Sequence, residues 1–250
     1  MTLTIVYDNN EHDPRLKTEW GFACLVEFGD HTILFDTGGD GSTLLGNIDK
    51  LGLDPRRIEA VVLSHIHGDH TGGLDDLLAM HNDVTVYVPR SFPDTFKMQV
   101  QAAGAELVEV SKPVEIVSGV NSTGEVKGGI IEQALVVTSA QGLVVPLPCG
   151  CAHPGIVRMV EQAQDVAKDD IYLVLGGFHL GGKSKAQDQP HRRPPLPPLS
   201  SPPMGGKEGG RVQKAAPCHC SGDKARELFA EEYGDDYVLN GVGWKMSIPQ

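Results

Sequence analysis

The stretch EAVVLSHIHGDHTGGL, residues 59–74, constrains the fold more than any other part of the chain. A short apolar run, read as a buried strand, ends in three histidines and an aspartate packed into six positions, and a helix is expected to follow at once. In extended chain, positions i and i+2 point the same way, so His65 and His67 can face one point. Asp69 and His70 follow as the chain turns into the helix, and they can reach a second point nearby. Gly68 is expected to permit the tight turn, and Thr71-Gly72-Gly73 to let backbone pack closely. A lone histidine is ordinarily a satisfied polar residue. Four ligand-type side chains at the spacing H-x-H-x-D-H need another reason, and imidazole with carboxylate suits zinc, iron or manganese.

The rest of the chain alternates short apolar runs with amphipathic ones. LTIVY, ACLVEF and HTILFD read as strands, the last two joined by a turn at Gly29-Asp30. Leu44, Leu45, Ile48 and Leu51 recur at helical spacing, with Gly52 as the stop. Asp54-Pro55 has the form of a helix start. VTVYV, AELVEV, ALVVTS, GLVVPL and IYLVL read as further strands. Helices are expected from Asp94 to Ala103, through Ile156, Val157, Val160, Ala163 and Ala167, and from Asp223 to Tyr233. This alternation predicts layered α/β structure in a single domain spanning 1–250. Residues 183–216 break the pattern. They contain PHRRPPLPPLSSPPMGGKEGG, whose prolines deny it helix or central strand, and a disordered insertion is expected there. A divergent insertion and a pair of compensating frameshifts in the coding DNA are the two origins such a segment admits.

A formal net charge of −12 argues against a nucleic-acid backbone as partner, because phosphate contacts need a basic face. No apolar run approaches the roughly 18 residues of a membrane span. The first residues carry neither a basic nor an apolar export region. With five cysteines, an odd number, that favours reduced thiols and a cytoplasmic location.

SHIHGDHTGGL resembles the metal-binding signature of the metallo-β-lactamase superfamily, and ILFDTG resembles that fold's early Asp-containing strand end. YDNN, EWGFACLVEF, LLGNIDKLGLD, EQALVV, CAHPGIV, GGFHL and PCHCSGDKARELF look like blocks of one subfamily of small metal-dependent hydrolases, some members of which are pterin-condensing synthases. The resemblance implies an αββα sandwich of two mixed sheets with helices outside. It also implies a site at strand ends holding two divalent metal ions, zinc or alternatively iron or manganese. His65, His67, Asp69 and His70 match the signature, and His219 of PCHC resembles the late histidine that closes the second metal site. The usual bridging carboxylate is missing, and Cys151 or His153 stands near that point, with His153 preferred. His179, at the end of IYLVL, is expected to be an extra ligand or an acid–base group, with support of a ligand from behind as the equal alternative. Asp36 is expected to orient a ligand histidine rather than bind metal.

Three functions follow as expectations. The first is a metal-dependent hydrolase of a small-molecule ester, thioester or phosphoester, with Asp69 and His179 as catalytic residues. The second is a pterin-condensing synthase, which needs an aromatic stacking slot, an anionic or pterin-like substrate and no attacking water. The third is a redox or non-catalytic metal protein using Cys149, Cys151, Cys218 and Cys220, although C-x-C is tighter than usual structural-zinc spacing. Trp20 and Phe22 are candidates for the wall of a substrate pocket, with core packing the equal alternative for Phe22.

Overall fold

Side chains that alternate along each strand decide the layering. The computed structural model describes residues 1–147, 155–180 and 212–250. In chain order the elements are β1 (Thr2–Tyr7), β2 (Ala23–Phe28), β3 (His31–Phe35), α1 (Gly41–Lys50), β4 (Ala60–Val62), α2 (Gly68–Thr71), α3 (Leu74–Met80), β5 (Thr85–Pro89), α4 (Asp94–Ala102) and β6 (Glu106–Val110). They continue as β7 (Val114–Val117), β8 (Val120–Ser122), β9 (Leu135–Ser139), β10 (Gly142–Leu147), α5 (Ile156–Ala167), β11 (Ile171–Gly177), β12 (Val212–Cys218), α6 (Asp223–Tyr233) and β13 (Lys245–Ser247).

One sheet runs in the order β13-β1-β2-β3-β4-β5-β6 and the other β12-β11-β10-β9-β8-β7. Odd and even positions part company on every long strand. Ile5, Cys24, Val26, Ile33, Phe35, Ala60 and Val62 face Leu135, Val137, Val144, Leu173 and Leu175 in one core between the sheets. Their neighbours Val6, Leu25, Leu34, Val61 and Leu63 point the other way, onto Leu44, Ile48, Leu74 and Leu77 of α1 and α3. Val136, Val145 and Val174 turn outward onto Ile156, Met159, Val160 and Ala163 of α5. Each sheet is therefore apolar on both faces, as a helix-covered sheet must be, and the layers stack as αββα. No helix among the described residues is long and apolar enough to cross a membrane.

Within the first sheet, β3, β4, β5 and β6 are parallel, and within the second, β10, β11 and β12 are parallel. The carboxyl ends of parallel strands are where layered α/β proteins gather ligands. Here Asp36 leaves β3, Ser64 to His70 follow β4, His179 follows β11 and His219 follows β12.

Several expectations need correction. Asp54-Pro55 opens only a three-residue 3-10 turn, Pro55–Arg57, because Ile58 already returns to extended backbone. Val212 to Ala216, expected within the insertion, form the first five residues of β12, paired in parallel with β11. Pro217 is tolerated because β12 is an edge strand. The remainder of the expected insertion, 183–211, lies outside the described residues. Gly68 is not required by its turn. It starts α2, has no positive φ, and a Cβ there would meet nothing within 4 Å. The close approach is made instead at Gly72, where a Cβ would sit 2.3 Å from the Gly39 carbonyl oxygen, and at Gly73, 2.2 Å from that of Thr37.

Candidate metal centre

The loop carrying H-x-H-x-D-H is pinned by backbone before any side chain acts. Thr37 N–H donates to His70 O at 2.8 Å, Gly72 N–H to Gly38 O at 2.9 Å and Phe22 N–H to Asp69 O at 3.2 Å. From the other sheet, the buried Gln133 side chain donates to Leu63 O at 2.8 Å and Tyr87 O at 3.2 Å, while Gln133 N–H donates to Ser64 O at 3.0 Å. The strand end that feeds the histidines is thus tied to both sheets.

His65 and His70 are fully buried, with ring centroids 4.3 Å apart, and His67 lies edge-on to His65 at 4.7 Å. Asp69, His70 and His219 each offer a ligand atom within 4.8 Å of the others'. Asp69 Oδ2 is 3.3 Å from His219 Nε2 and 3.6 Å from His70 Nε2. His219, from the far end of the chain, therefore joins the cluster as expected. His153 lies outside the described residues, as do Cys149 and Cys151.

Hydrogen bonds behind the rings fix which nitrogen faces inward. Asp36 accepts from Ser64 N–H and Ser64 Oγ–H, each at 2.7 Å, and from His70 Nδ1 at 2.8 Å. The single hydroxyl hydrogen of Ser64 is committed to Asp36, so Ser64 Oγ can only accept from His65 Nδ1, 2.9 Å away. His219 Nδ1 donates to Asn9 Oδ1 at 2.6 Å. All three rings carry the proton on Nδ1. Their Nε2 atoms are buried and without a hydrogen bond, which is costly for polar atoms unless something else fills the space. Asp36 thus orients ligand-type histidines, as expected of it.

Burial favours the neutral form of His65 and His70. Burial, with His70 alongside, pushes His65 down to about 2. Burial likewise pushes His70 down to about 3. Burial pushes Asp36 up to about 7, opposed by His65 and by the donors of Ser64. Neutral imidazoles and one carboxylate are the donor set that a divalent cation requires.

Of the non-glycine residues with positive φ among those described, Asp36 (60°), His179 (45°) and His219 (44°) all stand at strand ends at this site, and the fourth, Lys168, ends a helix. His179 is exposed at the rim. Partial burial, then the neighbouring His67, lowers its pKa. Trp20 is 58% exposed and tilts over His219 at 4.6 Å between ring centroids. Phe22 belongs to the core between the sheets, not to a pocket wall. Cys218 and Cys220 also face that core, and Cys24 and Cys218 are free thiols. Burial pushes the Cys24 thiol up to about 12, and burial with Asp8 alongside raises Cys218 well above its usual value. This is the reverse of a reactive or metal-ligating thiol.

Nothing in the sequence singles out Asn9, Ser64 or Gln133. Asn9 and Gln133 lie within YDNN and EQALVV, but nothing in local spacing marks their partners.

Residues 21–129 match the family model described as metallo-beta-lactamase superfamily. The chain is 25% identical over 283 aligned positions to the 7,8-dihydropterin-6-methyl-4-(beta-D-ribofuranosyl)-aminobenzene-5'-phosphate synthase of Methanocaldococcus jannaschii, covering 94% of this chain and 92% of that one. Among solved structures it is similar to Tm1679, a metal-dependent hydrolase of the beta-lactamase superfamily, with a TM-score of 0.73 and 23% identity over the whole of both chains. It is also similar to the metallo-beta-lactamase fold protein YhfI from Bacillus subtilis, with a TM-score of 0.63, 12% identity and coverage of 98% and 99%.

Proposed function

We propose that this chain, which belongs to the metallo-β-lactamase superfamily and has its αββα fold, is a metal-dependent hydrolase of a small-molecule ester, thioester or phosphoester. The observation that carries the reading is the set of buried Nε2 atoms on His65, His70 and His219 that lack any hydrogen bond. The donor set fits divalent metal, with zinc first and iron or manganese as alternatives. His65 and His67 would hold one ion, with His153 as a further ligand, and Asp69, His70 and His219 would hold a second. Such ions supply Lewis acidity to a substrate oxygen and lower the pKa of water to about 7.

The chain's own groups do the rest. Asp36, directly and through Ser64, keeps protons on the outward nitrogens of His70 and His65. Asp69 accepts a hydrogen bond from the attacking water and so orients it. His179 stands at the rim to return a proton to the leaving group. A small anionic substrate reaches a chain of net charge −12 through the cations rather than through surface charge. A cytoplasmic setting belongs to the same reading.

A second reading has an observation of its own. The exposed ring of Trp20 beside His219 offers a flat face, which a pterin-condensing synthase needs. The relative of 25% identity is such an enzyme.

One panel separates the two. Purified protein is assayed for metal content, then with ester, thioester and phosphoester substrates, and then with a pterin diphosphate and an aminobenzene riboside phosphate. Metal-dependent hydrolysis, reduced on the order of 100-fold in His65→Ala or His67→Ala, is expected. Condensation without hydrolysis transfers the site to the second reading. Full metal retention in both variants removes the metal assignment.

A further inference from the structure

His70 and His219 both approach Asp69, but they are backed differently. Behind His70 stands a buried carboxylate, Asp36. Behind His219 stands a neutral amide, Asn9, and it grips the residue twice. Asn9 Oδ1 accepts from the ring Nδ1 at 2.6 Å, and Asn9 Nδ2 donates to the His219 carbonyl at 3.3 Å. The second bond restrains the backbone of a residue held at a φ of 44°, a conformation that histidine does not adopt cheaply.

The residues on either side of Asn9 are themselves fixed. The carboxylate of Asp8, fully buried, accepts from Asn10 N–H at 2.7 Å and from Asn10 Nδ2 at 2.6 Å. Arg226 of α6 donates to Asn10 Oδ1 at 2.5 Å and to Asn240 O at 3.2 Å, and Asn240 Nδ2 donates to Ala216 O on β12 at 2.8 Å. The Cys218 thiol, next to His219, lies against Asp8. The N-terminal turn, the last helix and the end of β12 are thus locked into one polar cluster whose output is the direction of a single imidazole.

We propose that Asn9 is the positioning residue of His219: it sets the ring's tautomer and aims Nε2 at Asp69. The idea rests on the metal-centre reading only for its second readout. The amide serves as an acceptor that no change of pH removes, and its donor arm keeps the strained backbone from relaxing away.

The test uses Asn9→Ala, which loses both arms, and Asn9→Asp, which keeps the acceptor. The first readout is the nitrogen NMR signature of His219 in metal-free protein. Wild type and Asn9→Asp are expected to show protonated Nδ1 and bare Nε2, and Asn9→Ala a mixture of tautomers. The second is zinc affinity by titration. Asn9→Ala should lose about 10–100-fold at the His219 side, with Asn9→Asp recovering most of it. A merely structural role predicts the same loss of melting temperature in both variants and an unchanged tautomer. A single tautomer in Asn9→Ala, or Asn9→Asp binding no better than Asn9→Ala, overturns the proposal. If wild type binds no zinc, the metal reading fails, and the tautomer comparison still decides for or against Asn9.

Discussion

Asp36 accepts three hydrogen bonds while its own backbone stands at a φ of 60°. Asparagine in its place has one acceptor oxygen and turns an NH2 group on at least one of those donors. Asp36→Asn is therefore expected to cost about 1–3 kcal/mol of stability, the usual toll of a buried group left unsatisfied. Metal affinity should fall about 10–100-fold as His70 and His65 lose their fixed tautomers. Urea unfolding and metal titration of the purified variant check both, and an unchanged affinity detaches Asp36 from the ligands. Legibility at this scale follows sequence distance. The cluster from His65 to His70 is readable because its members are neighbours. Asn9 is not, because its partner lies 210 positions away and an asparagine in a polar turn carries no periodicity. Ser64 adjoins the motif, yet only its bond to Asp36 reveals which tautomer it enforces.

The two glycines that flank α2 make opposite demands on the element. Gly68→Ala puts a methyl group into open space at the first helical position. It should leave stability unchanged or raise it by up to about 1 kcal/mol. Gly72→Ala drives a methyl into the Gly39 carbonyl, which cannot swing aside as a side chain would. It should cost about 1–3 kcal/mol. Thermal melts of the two variants side by side give the comparison, and a Gly72→Ala protein as stable as wild type would mean that the loop is not pinned where it crosses residues 37–39. Elements with five or more patterned residues were readable in advance, among them β2, β10, α5 and α6. β8 and β13 are three residues long, too short for any period to register. β7 is half-exposed beside Pro113 and gives no clean alternation. β12 mixes Gln213, Lys214 and Pro217 into a run that is a strand only because β11 supplies its partner.

Across the whole molecule the layering was visible in alternation, whereas the order of strands was not, since no local pattern says which strand lies beside which. The candidate ligands come from both sheets, His65 to His70 from one and His219 from the other. A cation bound among them would hold the sheets together and would bind only when they are together. Loading to 100 times the dissociation constant is worth about 2.7 kcal/mol for one site. For a chain of this size that corresponds to a rise of roughly 5–10 °C in melting temperature. Calorimetry of chelator-treated and reloaded protein reads the difference directly, and equal transitions in the two samples would argue against a cation bridging the sheets.

The left-handed backbone of Asp36, His179 and His219 has a bearing on descent. Glycine would occupy each position with less strain, and asparagine nearly so. Drift alone should therefore carry these positions toward Gly and Asn, and only continued use of the proposed chemistry would oppose it. A lineage that has retired its catalyst should betray itself at positions 36, 179 and 219 before its core shows any change. Those three letters would sort working copies of the fold from abandoned ones.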